Sequence, residues 1–222
     1  MKKTKAAEFE HPYVTVDVLI FSVKNDELNV LLIKRHSQPF ADMFALPGGF
    51  VRLDETLEQA AGRVIKEKGH QKNVYLEQLF SFGEVDRDPR GRVVSVAYFA
   101  LVPKDRVKDV DDGTHVIKWY PVAKLPPLAF DHKKIVGHAV ERIKSKIGYS
   151  TLASGLLPEK FRLSEFQKVY EIVLGHEIDK RNFRKKMLSL NLLEPVGERV
   201  VVGQHRPAML FRFKEKGLII FD

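Results

Sequence analysis

Leu46-Pro47-Gly48-Gly49-Phe50-Val51-Arg52-Leu53-Asp54-Glu55-Thr56 runs directly into Leu57-Glu58-Gln59-Ala60-Ala61-Gly62-Arg63-Val64-Ile65-Lys66-Glu67-Lys68-Gly69. Two glycines after a proline let the backbone turn tightly and come close to a ligand. From Leu57 the apolar residues fall at 57, 60, 61, 64 and 65. That i, i+3, i+4, i+7, i+8 spacing is one buried stripe of a helix. The plain reading is an amphipathic surface helix after a glycine turn. The polar residues of the helix suggest more.

The stretch resembles the Nudix box, whose pattern is Gly, five residues, Glu, seven residues, then Arg-Glu-aliphatic-x-Glu-Glu-x-Gly. Gly49, Glu55, Arg63, Ile65 and Glu67 match it, whereas Val64 and Lys68 stand where glutamates belong and Gly69 comes one residue early. In Nudix hydrolases the glutamates of this helix hold Mg²⁺, a hard cation that takes oxygen ligands and bridges substrate phosphates. Here two of the three carboxylates are replaced and Lys68 puts an ammonium in their place. The resemblance therefore implies a Nudix fold that binds a nucleotide diphosphate without cleaving it efficiently. No catalytic residue and no metal ligand is assigned.

The chain has 222 residues, long for one average domain and comfortable for two. With 44% hydrophobic and 30% charged residues it has the composition of a soluble globular protein. It has no cysteine, which excludes disulfides and thiolate metal sites. No apolar run reaches the length of a membrane span, and the basic start lacks the apolar core of a secretory signal. A cytoplasmic location without membrane contact is expected. The net charge of +8 invites anionic partners. Residues 151–222 hold 13 Lys and Arg against 9 Asp and Glu, so half of that excess sits in the last third.

Val14–Val23 and Leu28–Arg35 read as paired strands about an Asn25-Asp26 turn. Val74–Val85 and Val93–Val102 read as two more, joined by Asp86-Arg87-Asp88-Pro89-Arg90-Gly91-Arg92, and Val116–Tyr120 as a last one. Interleaved with helices, they fit an α/β/α sandwich around a mixed sheet. Asp131 is the expected cap of a helix over 131–148, with Ile135, Ala139, Ile143 and Ile147 on one face and Gly148 as its stop. Tyr149–Pro158 reads as a linker, dividing the chain into 1–150 and 151–222.

In the last third, Ser164 and Gln167 form a capping-box pattern before Phe166, Val169, Tyr170, Val173 and Leu174, and Gly175 ends that helix. Asp179 caps a second helix, Lys180–Leu190, with Phe183, Met187 and Leu190 on its apolar side. Two strand-like runs follow, Arg199–Val202 and Ala208–Lys214, joined by Gly203–Pro207. Helix, turn, basic helix and ribbon are the plan of a winged helix-turn-helix. The expected class is thus α+β, an N-terminal sandwich with a C-terminal winged helix.

Two groups of residues carry the expected chemistry. Lys180, Arg181, Asn182, Arg184, Lys185 and Lys186 face outward from the second helix, and Gln204, His205 and Arg206 form the wing tip. Such a helix supplies phosphate contacts and, through Arg and Asn, contacts to base edges in the major groove. A solvated basic face on an accessory domain is the plainer alternative. The second group is Arg87, Arg90 and Arg92, with Arg35, beside the Gly48-Gly49 turn, suited to gripping a pyrophosphate with paired guanidinium bonds. Phe44, Phe82 and Tyr98 are the expected base-stacking rings, and His132 opens the long helix beside the pocket. Against this stand a good hairpin turn and ordinary core aromatics.

These pieces in this order resemble the Nudix-related transcriptional regulators of NAD metabolism. The resemblance is carried by the degenerate box, Asp86–Gly91, Leu128-Ala129-Phe130-Asp131-His132 and Asp179-Lys180-Arg181-Asn182-Phe183, spread over residues 12 to 215. It implies a repressor of NAD-metabolism genes, a homodimer that binds double-stranded operator DNA and releases it when ADP-ribose binds. ADP-ribose is then an effector; no cofactor is expected, and magnesium is possible without being required. The competing reading is an active Nudix pyrophosphatase using Glu55, Glu67 and Glu84 for its metal, with an accessory C-terminal domain. An RNA-binding Nudix protein is disfavoured because no exposed aromatic series offers itself to single-stranded bases.

Overall fold

The structure is a computed structural model that describes residues 10–71, 74–106, 108–111, 116–201, 207–215 and 217–221. Strands β1 (Tyr13–Lys24) and β2 (Glu27–Lys34) form a hairpin. Short strands β3 (Phe44–Ala45) and β4 (Gly48–Phe50) flank the proline and lead into helix α1 (Leu57–Lys68). Strands β5 (Tyr75–Phe82), β6 (Val93–Leu101), β7 (Val110–Asp111) and β8 (Val116–Pro121) complete the larger sheet. Its order is β5-β6-β1-β2-β8-β7, with β3 beside β2 and β4 beside β1. The β1–β6 pair is parallel and the others antiparallel, so the sheet is mixed as expected.

Residues alternate across a strand, and β1 is buried on both faces. Val16, Val18 and Ile20 pack on Ala60, Ala61, Val64 and Ile65 of α1. Leu19 and Phe21 face the opposite layer, with Ile135, Ala139, Ile143 and Ile147 of helix α2 (His132–Ile147). That is the α/β/α sandwich. The apolar stripe of α1 is as predicted; its cap is Thr56, whose hydroxyl and backbone exchange bonds with Gln59.

Beyond α2 the chain forms β9 (Phe161–Arg162), α3 (Leu163–Leu174), α4 (Lys180–Ser189), β10 (Leu193–Val200) and β11 (Ala208–Phe213). The three strands pair in the order β10-β11-β9. Phe166 packs edge to face against Phe161, Phe183 and Phe213, giving this part its own aromatic centre.

Several expectations are corrected. Residues 149–158 are not a free linker: Thr151–Leu156 is a 3₁₀ helix with Leu152, Ala153 and Leu156 buried in the core that also holds Phe99, Ile143 and Phe166. The small residues there serve close packing. Asp131 makes no side-chain cap, because its carboxylate is taken by Arg87, and Gly148 ends α2 in an ordinary right-handed conformation. Helix α3 starts before Ser164, with the Arg162 N–H donating to Glu165 at 2.9 Å. Gln167 instead donates to Glu171 and to the Ile178 carbonyl, tying α3 to the turn before α4. The first wing strand begins at Leu193, six residues before the expected start. Pro195 and Gly197 disguise it, and an edge strand with a bulge tolerates both.

Candidate functional site

A cleft opens where β1, β4 and the start of α2 meet, lined among others by Thr15, Asp17, Arg35, Gly48, Gly49, Lys68, Arg87, Arg90 and His132. Gly48 pairs with Asp17 across the β1–β4 ladder. A Cβ on Gly48 would lie 2.3 Å from Asp17 Oδ1 and 2.9 Å from the Val16 carbonyl oxygen, so no other residue fits there. Gly48 therefore lets β4 approach β1 closely enough to form the cleft floor.

Beneath the floor lies a buried polar network. Asp17 accepts from the Ser95 hydroxyl at 2.6 Å and from Arg87 Nη2 at 3.4 Å. Arg87 also grips Asp131 with both fork nitrogens, at 3.0 and 2.7 Å. His132 Nδ1 accepts the Leu46 N–H at 2.9 Å, which puts the ring proton on Nε2, 3.5 Å from Asp17 Oδ1. Complete burial lowers the His132 pKa, outweighing the nearby carboxylates, and the ring is neutral. Thr15 is the exception: it is buried, lines the cleft, and its hydroxyl has no partner among the described residues.

The mouth carries cations and rings. Arg90 donates two hydrogen bonds to Asp88, at 2.9 and 2.6 Å, and stands over Phe50 and Phe130 at 5.3 and 5.6 Å. Arg35 stands over Phe130 at 4.9 Å and donates to the Pro39 carbonyl at 2.9 Å. Lys68, half-buried, donates to the Gly48 carbonyl at 2.5 Å. Four cations (Arg35, Lys68, Arg87 and Arg90) against two carboxylates (Asp17 and Asp88) leave the lining with a surplus of two positive charges.

The structure thus brings Arg35, Gly48, Gly49, Arg87, Arg90 and His132 together but not the three expected rings. Phe82 is buried against His138 of α2, 5.3 Å away edge-on. Tyr98 is buried on the α1 face with its hydroxyl near Glu58, and Phe44 packs edge-on against Tyr120. Phe82 and Tyr98 are hydrophobic core and Phe44 is half-buried against it, each in a strand whose parity the sequence left open. The rings at the cleft are Phe50 and Phe130. Their adjacency to Gly49 and Asp131 was the available signal. Arg87 is also corrected: its guanidinium is committed to two carboxylates at 4% exposure rather than held free at the mouth.

The donor set on α1 is poor for a divalent metal. Arg63 holds Glu55 at 2.9 and 2.5 Å and reaches Glu67 at 3.6 Å. The Arg63 hydrogen bonds pull the Glu55 pKa down to about 2. Glu84 pairs with Lys134 at 3.1 Å. No cluster of three metal-ligating side chains occurs among the described residues.

On the C-terminal part, Asp179 caps α4 by accepting the Asn182 N–H at 2.8 Å. Phe183 and Met187 are buried, while Lys180, Arg181, Asn182, Arg184, Lys185 and Lys186 are all exposed. Arg162, Lys180 and Arg184 border a groove between α4 and β11. Gln204, His205 and Arg206 lie outside the described residues.

Fold and sites define a Nudix-domain protein carrying a winged helix with a basic outer helix. Residues 12–139 match the NUDIX domain, and residues 153–213 match the NrtR DNA-binding winged helix domain. The ADPR responsive transcriptional repressor NtrR of Acinetobacter baylyi is 38% identical over 211 residues, covering 93% of this chain and 84% of that protein. The ADP-ribose pyrophosphatase of Methanocaldococcus jannaschii is 40% identical over 126 residues, 57% of this chain and 72% of that protein. The crystal structure of Shewanella oneidensis NrtR complexed with a 27mer DNA superposes with a TM-score of 0.81 at 37% identity, covering 90% of this chain and 93% of that one. The chain belongs to the NrtR family of Nudix-domain transcriptional regulators.

Among the described residues, no helix is long and apolar enough to cross a membrane.

Proposed function

We infer that this protein is a transcriptional repressor of NAD-metabolism genes that binds operator DNA through its winged helix and releases it when ADP-ribose enters the Nudix cleft. The observation that carries this reading is the presence of two charge-complementary sites linked through the packed helices α2 and α3. The cleft lining carries more Lys and Arg than Asp and Glu, which suits a diphosphate, and α4 exposes five Lys and Arg residues in about two turns. Through α3, which packs against α4, helix α2 links them. Its first residues belong to the cleft network, and its 16 residues span about 24 Å. Its end meets the C-terminal tail, where the Thr151 N–H donates to Ile219 and the Phe221 N–H to Tyr149, each at 2.8 Å.

In this reading Arg35, Arg90 and Lys68 meet the diphosphate, and Gly48 and Gly49 admit it. Phe50 and Phe130 flank the base. Lys180, Arg181, Arg184, Lys185 and Lys186 meet DNA phosphates, and Asn182 and the arginines reach base edges. ADP-ribose weakens DNA binding only if it prefers the DNA-incompatible arrangement. A hundredfold change in operator affinity requires a difference of about 2.7 kcal/mol. Two charge-assisted bonds made in one arrangement alone supply it, at ~1.5–3 kcal/mol each. The active form is a cytoplasmic homodimer, the symmetric state that suits a palindromic operator.

Hydrolysis is impaired in this reading, because Val64 and Lys68 replace two of the box glutamates and Arg63 stands 3.6 Å from the remaining one, Glu67. The likeness to an ADP-ribose pyrophosphatase favours the second reading, an enzyme with an accessory domain. Fluorescence anisotropy with promoter fragments of NAD-biosynthesis genes at fixed salt separates the two. Sequence-dependent binding relieved by ADP-ribose, with the nucleotide recovered intact, is expected. Salt-driven binding alone, with ADP-ribose consumed, would establish the enzyme.

A further inference from the structure

We propose that Lys68 does the work of the family's metal ion, so that this cleft binds its nucleotide diphosphate without any divalent cation. The inference rests on the ADP-ribose reading above and goes beyond it by assigning the counter-charge to one side chain.

Of the three helix positions that would hold the metal, only Glu67 is still a carboxylate, and a guanidinium already stands beside it. Arg63 donates two hydrogen bonds to Glu55 and approaches Glu67 at 3.6 Å. A cation on α1 would have to displace that guanidinium or share the carboxylates with it. A hard dication also gains nothing from a neighbouring ammonium.

Lys68 is placed to substitute. It follows Glu67 on the last turn of α1, faces the cleft, and is anchored by donating to the Gly48 carbonyl at 2.5 Å. An ammonium has three donors, and this bond uses one. Among the described residues no carboxylate lies within ion-pair distance of its nitrogen. Two N–H groups therefore remain for oxygens arriving at the glycine turn. The carbonyl that fixes Lys68 belongs to the residue whose missing side chain opens the cleft, so cation and opening share one backbone position. Lys68 also supplies half of the lining's surplus charge; without it the four cations become three against two carboxylates.

The full-length protein is titrated with ADP-ribose by calorimetry, once in EDTA and once with millimolar Mg²⁺. Equal affinity in the two buffers is expected, within about twofold. Lys68→Met should lose on the order of ten- to a hundredfold in EDTA, the range for one charge-assisted bond to a phosphate. Lys68→Arg, which keeps the charge, should retain most of the affinity. Lys68→Glu should bind measurably only when Mg²⁺ is present. Wild-type binding that requires Mg²⁺ overturns the proposal, with no variant needed, and so does a folded Lys68→Met protein that binds like wild type in EDTA. No binding in either buffer overturns the ADP-ribose reading itself, and this proposal with it.

Discussion

Replacing Arg87 with Met should damage the fold more than any other change at the cleft. Its guanidinium is 4% exposed and neutralises two carboxylates, Asp131 at 2.7 Å and Asp17 at 3.4 Å. Without it Asp17 retains only the Ser95 hydroxyl and the neutral His132 ring, and Asp131 loses both of its bonds. Removing one partner of a buried ion pair costs about 3–5 kcal/mol, because the other charge stays desolvated. For a chain of this size each kcal/mol moves the melting temperature by about 2–4 °C, so the expected fall is about 6–20 °C. The triple variant Asp17→Asn, Arg87→Met, Asp131→Asn removes the stranded charges along with the cation and should recover at least half of that fall. Calorimetric melts of the wild type and both variants at pH 7.5 decide the matter. A fall under about 2 °C for Arg87→Met, or a triple variant no better than the single one, would refute the reasoning. An unchanged melt with ADP-ribose affinity abolished would restore the free, phosphate-gripping arginine that the sequence suggests.

Three further outcomes are expected. Gly48→Ala should cost about 1–3 kcal/mol by overpacking and weaken ADP-ribose binding, since its Cβ meets a carboxylate oxygen and a backbone oxygen. Gly49→Ala meets nothing closer than 3.6 Å and should melt like wild type; equal melts for the two variants would contradict the packing. The His132 pKa is lowered from 6.5 in the folded state, so the unfolded chain binds the extra proton and stability falls as pH drops below 6.5. The slope is about 1.4 kcal/mol per pH unit while the ring stays neutral. Urea midpoints from pH 7.5 to 5.5 should show this decline, and His132→Gln should flatten it. Lys185→Ala and Lys186→Ala should each weaken DNA binding for all sequences and shallow the slope of log affinity against log salt by about 0.9, if each meets one phosphate. An unchanged slope would remove that residue from the interface.

Local rules made much of this protein legible. The apolar stripes of α1 and α2 follow from 3.6-residue periodicity, which any buried helix face must obey. The Asp179 cap needs only a carboxylate preceding a helix, and the basic outer side of α4 needs only the placement of Phe183 and Met187. The glycine turn and the residue replacements at Val64 and Lys68 were visible because a box of fixed spacing leaves no freedom of position. The cationic partners Arg35 and Arg90, and the neutral His132, could be proposed for the same cleft from type and order along the chain.

Tertiary structure decided what depends on pairing. Strand parity, set by register across the sheet, sent Phe82 and Tyr98 into the core, while the approach of β4 to β1 placed Phe50 at the cleft. Arg87 was visible as a cation, but its two carboxylates come from positions 17 and 131, which only the fold brings within 3.4 Å. The Tyr149–Pro158 stretch has the composition of a linker and becomes core because neighbours on both sides bury it. Strand β10 survives Pro195 and Gly197 because it lies at a sheet edge, where a missing N–H costs little. Lys68 shows the division most clearly. The sequence placed an ammonium in a metal-binding motif, and the fold gave it the Gly48 carbonyl as an anchor and the cleft as its outlook. Composition and periodicity act along the chain, whereas charge neutralisation acts through space, between residues that folding alone makes neighbours.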